Sequence, residues 1–183
     1  SRIGTINSQD MRKYYLANLN CLDDQIGRVL NALDETGLAD NTLVIFSSDN
    51  GGSPITGASN APLTGAKYSL YEGGIRVPMI VRWPGVTIPG STCNEPVISI
   101  DFYTTYLDAA GIEKPQAYQL DGKSLMPLLK DPNQTIDRSA LFWHFPGYPN
   151  NLWRTTPVSV IRSGTWKLMK FKNGWKNWNG VMK

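Results

Sequence analysis

The sequence has no uninterrupted apolar run that approaches the length of a membrane span, so it offers no transmembrane helix. Its first residues, Ser1-Arg2-Ile3-Gly4, lack a basic region followed by an apolar stretch, so any targeting signal is expected either to belong to a longer precursor or never to have existed. Cysteine is scarce: Cys21 falls in a helical pattern, Cys93 in a Pro/Gly-rich loop, and neither forms a C-x-x-C ligand pair. One histidine, His144, defines no mechanism without a partner. Acidic residues stop at Asp137, because residues 1–137 hold 10 Lys/Arg against 15 Asp/Glu, whereas residues 138–183 hold 8 Lys/Arg and no acid. The C-terminal end is expected to favour anionic partners. With 41% hydrophobic and 18% charged residues over 183 positions, the composition is that of a globular protein rather than a disordered one.

From Ser8 to about Leu33, the apolar residues Tyr15, Leu19, Leu22, Ile26, Val29 and Leu33 recur at steps of three and four, which predicts one stripe on a helix ended by Gly37. Asp40-Asn41 then opens Thr42–Ser47, apolar without alternation, as expected of a strand covered on both faces. A helix feeding a buried strand is an α/β unit. Ile75–Trp83 reads as a second strand closed by Pro84-Gly85, with Pro78 marking an edge or a bulge. Asp101 is placed to N-cap a helix over Phe102–Ala110 stopped by Gly111, and Asp121-Gly122-Lys123-Ser124 leads into a short helix around Leu125–Leu129. Ala140–His144, Val158–Arg162 and Thr165–Phe171 read as short strands, the last two joined by a tight turn at Ser163-Gly164. The expected organisation is an α/β part over residues 1–112 and a small subdomain with an antiparallel sheet over 113–183.

The first strand stops at Ser48-Asp49-Asn50-Gly51-Gly52, which presents a carboxylate and an amide just beyond its carboxyl end, where open α/β sheets build their sites. Side by side, Asp49 and Asn50 offer oxygen ligands suited to Ca²⁺ or Mg²⁺, although the same tetrapeptide is also ordinary turn chemistry. Lys67 follows Gly65-Ala66 in an uncluttered loop, where its ammonium could pair with a sulfate or phosphate oxygen or simply be solvated. Glu72-Gly73-Gly74 reads as a structural turn whose buried acid holds the loop. His144, inside Trp143-His144-Phe145-Pro146-Gly147-Tyr148, sits at a core edge or on a pocket rim able to stack on a sugar ring. The tail from Lys167 interleaves lysines with Trp175 and Trp178, compatible with an anionic polymer or with a solvated hairpin around Asn173-Gly174.

Taken in order, Leu43–Gly52 (LVIFSSDNGG) and Pro62–Pro78 (PLTGAKYSLYEGGIRVP) resemble the second half of the sulfatase catalytic domain. The similarity continues through Trp83-Pro84-Gly85, Ser99–Phe102 with Ala109–Ile112, Asp121–Leu125 and Ser159–Leu168, nearly the whole chain. This resemblance implies an alkaline-phosphatase-like α/β sandwich, here its C-terminal half, followed by a small α+β subdomain with a four-stranded antiparallel sheet. It implies that Asp49 and Asn50 ligate Ca²⁺, that Lys67 contacts the sulfate, and that His144 lies near the substrate. Sulfatases of this type carry a formylglycine made from a Cys/Ser-x-Pro/Ala-x-Arg motif, and neither Cys21-Leu22-Asp23-Asp24-Gln25 nor Cys93-Asn94-Glu95-Pro96-Val97 fits it.

The resulting expectation is part of a sulfuric ester hydrolase, supplying metal and sulfate ligands but not the nucleophile. Its partners would be a sulfated small molecule or glycan, with no nucleic acid and no membrane, and the intact protein would be periplasmic or extracellular. By itself the chain is expected to bind Ca²⁺ weakly, because Ca²⁺ takes about six to eight oxygens, to hydrolyse no sulfate ester, and to self-associate through uncovered apolar faces. Two other readings stand beside this one: part of a phosphoesterase or phosphotransferase of the alkaline phosphatase superfamily, and a non-catalytic piece that binds anionic glycans.

Overall fold

A computed structural model describes residues 8–146, 157–171 and 174–178. The chain divides into two compact units, Ser1–Ile80 with Phe145–Val158 and Val81–His144 with Ser159–Lys183. No helix among the described residues is long and apolar enough to cross a membrane.

In the first unit the expected helix forms as α1 (Ser8–Glu35). It ends because Gly37 adopts φ +68°, which lets Gly37 N–H reach Asp34 O at 3.1 Å and Leu38 N–H reach Leu33 O at 2.9 Å. This is the Schellman arrangement, and Leu38 and Leu33 are the pair whose apolar contact usually accompanies it. Against expectation, Leu19, Leu22 and Val29 on the apolar stripe are exposed. Arg12 anchors the helix differently, donating from Nη1 to Gly57 O at 2.8 Å.

Strand β1 (Val44–Ser47) pairs with β2 (Met79–Arg82) in a two-stranded sheet. The expectation of a strand covered on both faces is not met, since Phe46 is 38% and Ile80 64% exposed. An unalternating apolar run records what the strand is suited to bury, and among the described residues these two side chains are left uncovered. The second strand is also shorter than predicted. Tyr71 O accepts from Ile75 N–H at 3.3 Å and Glu72 O from Arg76 N–H at 2.8 Å, so Glu72–Ile75 closes into a one-turn helix, α2, instead of the expected turn and strand start. Pro78, lacking an N–H, stands just before β2 and contributes its carbonyl to Ser48 N–H at 3.4 Å.

In the second unit, α3 (Asp101–Ala109) and α4 (Met126–Lys130) precede a four-stranded sheet of order β3-β4-β5-β6. Its strands are β3 (Leu141–Phe145), β4 (Val158–Ser163), β5 (Trp166–Phe171) and β6 (Gly174–Trp178). Buried apolar side chains of this unit include Leu125, Leu128, Ile136, Leu141, Val160 and Met169. Gly111, at φ +66°, stops α3 in the manner of Gly37.

Asp101 does not act as the expected N-cap. It is the first residue of α3, fully buried, and its carboxylate gathers three separate segments. Oδ2 accepts from Ile98 N–H at 3.0 Å, while Oδ1 accepts from Lys123 N–H at 2.9 Å and from Arg138 Nη2 at 2.7 Å. The main-chain carbonyl of Asp101 also accepts from the hydroxyls of Thr104 and Thr105, and Thr105 Oγ1 in turn accepts from Leu125 N–H at 2.9 Å. Thus α3 buries a polar face whose every bond is directed, and it exposes Tyr103 and Tyr106.

The C-terminal strands form as expected, with Gly164 at φ +54° in the turn between β4 and β5. β5 and β6 are antiparallel, with Lys167 opposite Trp178 and Lys170 opposite Trp175. Of the anticipated tail lysines, Lys167 departs from the solvated reading, being only 5% exposed. Asn173, the expected hairpin tip, lies outside the described residues.

Candidate functional site

The end of β1 delivers Asp49 and Asn50 to the surface of the first unit, where Asp49 is exposed and Asn50 half-buried. Asp49 Oδ1 accepts from Asn50 N–H at 2.9 Å, and Ser48 Oγ donates to Asn50 O at 2.8 Å, so the two ligand candidates sit on a backbone shaped by its own side chains.

The following glycines serve close approach rather than a turn. Gly51 N–H donates to Gly74 O at 2.9 Å, and a Cβ on Gly51 would lie 1.7 Å from Gly73 O. Gly73 N–H donates to Thr64 O at 2.7 Å, and a Cβ there would lie 2.3 Å from Gly65 O. Gly51→Ala is accordingly expected to cost about 1–3 kcal/mol or more through overpacking, read as a lower denaturant midpoint. An unchanged midpoint would show that the Gly73 carbonyl can move away freely.

Gly52 joins this layer to the lysine loop. Asn60 grips it at two points, Oδ1 accepting from Gly52 N–H at 2.7 Å and Nδ2 donating to Gly52 O at 2.8 Å. The same carbonyl accepts from Lys67 N–H at 3.2 Å. The backbone of Lys67 is therefore hydrogen-bonded to a residue two positions beyond Asn50.

Lys67 and Tyr68 are the central residues of a turn closed by Ser69 N–H to Ala66 O at 3.0 Å. The Ser69 hydroxyl reinforces it, donating to Ala66 O at 2.8 Å and accepting from Ala66 N–H at 3.1 Å. Tyr68 has φ +70°, and the Lys67 ammonium stands over its ring, 5.5 Å from the centroid. Lys67 is half-buried rather than freely extended into solvent.

His144 belongs to the second unit. It is exposed on β3, with Nδ1 2.9 Å from Ser159 Oγ on β4. Trp143 beside it is half-buried, and Gly147 and Tyr148 of the same aromatic segment lie outside the described residues. Asp49, Asn50 and Lys67 are thus within one unit, and His144 is in the other.

A carboxylate and an amide oxygen suit a hard cation, so Asp49 and Asn50 fit a share of a Ca²⁺ shell. They do not close it, and among the described residues no group of three or more His, Cys, Asp or Glu could hold a metal ion. Asn60 and Tyr68 were not expected from sequence. Asn60 lies in a Ser/Asn/Pro loop that gives no hint of a two-point clamp, and a tyrosine gives no sign of left-handed backbone.

Residues 3–112 match the family described as Sulfatase, and residues 66–181 match N-sulphoglucosamine sulphohydrolase, C-terminal. A protein named Sulfatase from Formosa agariphila is 43% identical over 159 residues, covering 80% of this chain and 28% of that protein. Steryl-sulfatase of Rattus norvegicus is 38% identical over 159 residues, covering 82% of this chain and 27% of that protein. The solved structure of BT4656 in complex with its substrate D-Glucosamine-2-N, 6-O-disulfate is 31% identical with a TM-score of 0.78, over 97% of this chain and 37% of that one. The chain therefore spans little more than a quarter of the length of the two named relatives. The structural likeness bears out the expected α/β class, alkaline-phosphatase-like, with its antiparallel sheet.

Proposed function

This chain belongs to the sulfatase family, and from that premise we propose that it supplies metal and sulfate ligands to a sulfuric ester hydrolase acting on sulfate monoesters. The observation that carries this reading is the hydrogen bond from Lys67 N–H to Gly52 O at 3.2 Å, which ties the lysine turn to the strand tip holding Asp49 and Asn50. A cation site and an anion-binding ammonium on adjoining backbone are what a sulfate group needs.

Sulfatases generally use Ca²⁺ and formylglycine. When present, these supply a Lewis acid and a nucleophile. Asp49 and Asn50 would hold the cation through their side-chain oxygens, sharing its shell with oxygens from elsewhere. Lys67, a compact point charge, would bind a sulfate oxygen and neutralise the charge that develops as the S–O ester bond breaks. The Tyr68 ring stands beside that ammonium at 5.5 Å from its centroid, and Lys67 as a residue is half-buried. His144, exposed on β3, is kept as a candidate contact for a sugar-bearing substrate, a reading that the sulfated glucosamine bound by the related BT4656 supports. The uncovered Leu19, Leu22, Val29, Phe46 and Ile80 support self-association of the chain when it stands alone.

The test compares 4-nitrophenyl sulfate with 4-nitrophenyl phosphate as substrates for the enzyme that contains this chain. Preference for the sulfate ester, abolished by a calcium chelator and restored by added Ca²⁺, is the expected result. Preference for the phosphate ester, or turnover indifferent to chelation, would assign the site to a different reaction.

A further inference from the structure

Tyr68 occupies a position that its side chain does not suit. It is the third residue of the Ala66–Ser69 turn, at φ +70°, and turns with that geometry select glycine or asparagine there because an L side chain crowds its own backbone. Glycine is abundant on either side, at Gly65, Gly73 and Gly74, so the loop is otherwise built from the residue this position would normally take. What tyrosine provides that glycine would not is a ring, and that ring lies beneath the Lys67 ammonium at 5.5 Å from its centroid, inside the range of cation–π attraction.

We infer that Tyr68 is a positioning residue for Lys67, its ring fixing the ammonium where a sulfate oxygen is to be met. The inference rests on the reading of Lys67 as the sulfate contact. Lysine carries its charge on a flexible four-carbon stem, and an ammonium that must be collected from many rotamers binds an anion less well than one already held. The backbone that carries both side chains is held, because three hydrogen bonds between Ala66 and Ser69 close the turn and Lys67 N–H is bonded to Gly52 O. One short turn thereby determines the position of the charge and of the aromatic face that steadies it. The ring face is electron-rich and cannot neutralise the ammonium as a carboxylate would, so the full positive charge remains available to an incoming sulfate.

The experiment uses the whole enzyme with 4-nitrophenyl sulfate. Tyr68→Gly is expected to lower kcat/KM roughly three- to thirtyfold, the range that one cation–π contact spans between exposed and desolvated settings. Its melting temperature should hold or rise, because the left-handed backbone is relaxed. Tyr68→Phe, which keeps the ring, should retain kcat/KM within about twofold. On a Lys67→Ala background, Tyr68→Gly should change kcat/KM by less than about twofold, since residues acting through one another are not additive. Tyr68→Asn, tolerated at positive φ, serves as a second ring deletion should the glycine variant fold poorly. Wild-type kcat/KM in both ring deletions would overturn the positioning role and leave the Lys67 reading intact. A further loss from ring deletion on the Lys67→Ala background, or an equal loss in Tyr68→Phe, would overturn it as well. Wild-type activity in Lys67→Ala alone would remove the sulfate contact itself, a separate failure.

Discussion

Replacing Lys67 with alanine in the enzyme that carries this chain is expected to lower kcat/KM for a sulfate monoester by about 10²–10³-fold, the usual consequence of removing one preorganised donor from a developing oxyanion. The loss should appear in kcat as well as in kcat/KM, because the ammonium interacts most strongly as charge accumulates on the departing oxygen. Folding should be little affected. The link from residue 67 to Gly52 is made by the backbone N–H, which alanine retains, and the side chain is only half-buried. A Lys67→Ala enzyme with wild-type kcat/KM would mean that the ammonium does not meet the sulfate.

The second large effect concerns stability. Asp101→Ala is expected to cost about 3–5 kcal/mol, the range found when one partner of a buried ion pair is removed. Asp101 is fully buried, and its partner Arg138 is 12% exposed with Nη2 at 2.7 Å from Oδ1. Removing the carboxylate strands that guanidinium, whose Nη1 is already buried without a hydrogen bond among the described residues. It also leaves Ile98 N–H and Lys123 N–H without their acceptor. A fall in the urea midpoint at constant m would carry the result, whereas an unchanged midpoint would show that water readily replaces the carboxylate. Activity measured well below the unfolding transition should change far less than in Lys67→Ala, which separates a residue that holds the second unit together from one that meets the substrate.

Much of the fold was legible because periodicity and stop signals are local. The helix from Ser8, its glycine cap at Gly37, the second cap at Gly111, and the strands around Val158–Ser163 and Trp166–Phe171 follow from residue spacing alone. What sequence missed depends on contacts distant along the chain. The carboxylate of Asp101 looks like a cap until Lys123 and Arg138 converge on it. Lys167 looks solvated until β5 buries it. The strand begun at Ile75 was cut short because Tyr71 and Glu72 carbonyls close a helical turn first. At the candidate site, the position of Asp49 and Asn50 beyond a strand was readable from pattern, whereas the residues left Lys67 open between an anion contact and a solvated lysine, and the resemblance favoured the first. The glycines around them read as turn residues, yet Gly51 and Gly73 are there because backbones touch. Coverage of β1 was overestimated for a related reason: an apolar pattern states what a strand can bury, not what lies against it.

The most direct test of a shared cation and anion site in the first unit is a crystal structure of the whole enzyme soaked with Ca²⁺ and a slowly hydrolysed sulfate ester. Oxygens of Asp49 and Asn50 are expected at about 2.3–2.6 Å from the metal, with the Lys67 ammonium at about 2.7–2.9 Å from an oxygen of the same sulfate. A sulfate bound without Lys67, the ammonium turned away from the Asp49 and Asn50 side chains in an ordered loop, would contradict it.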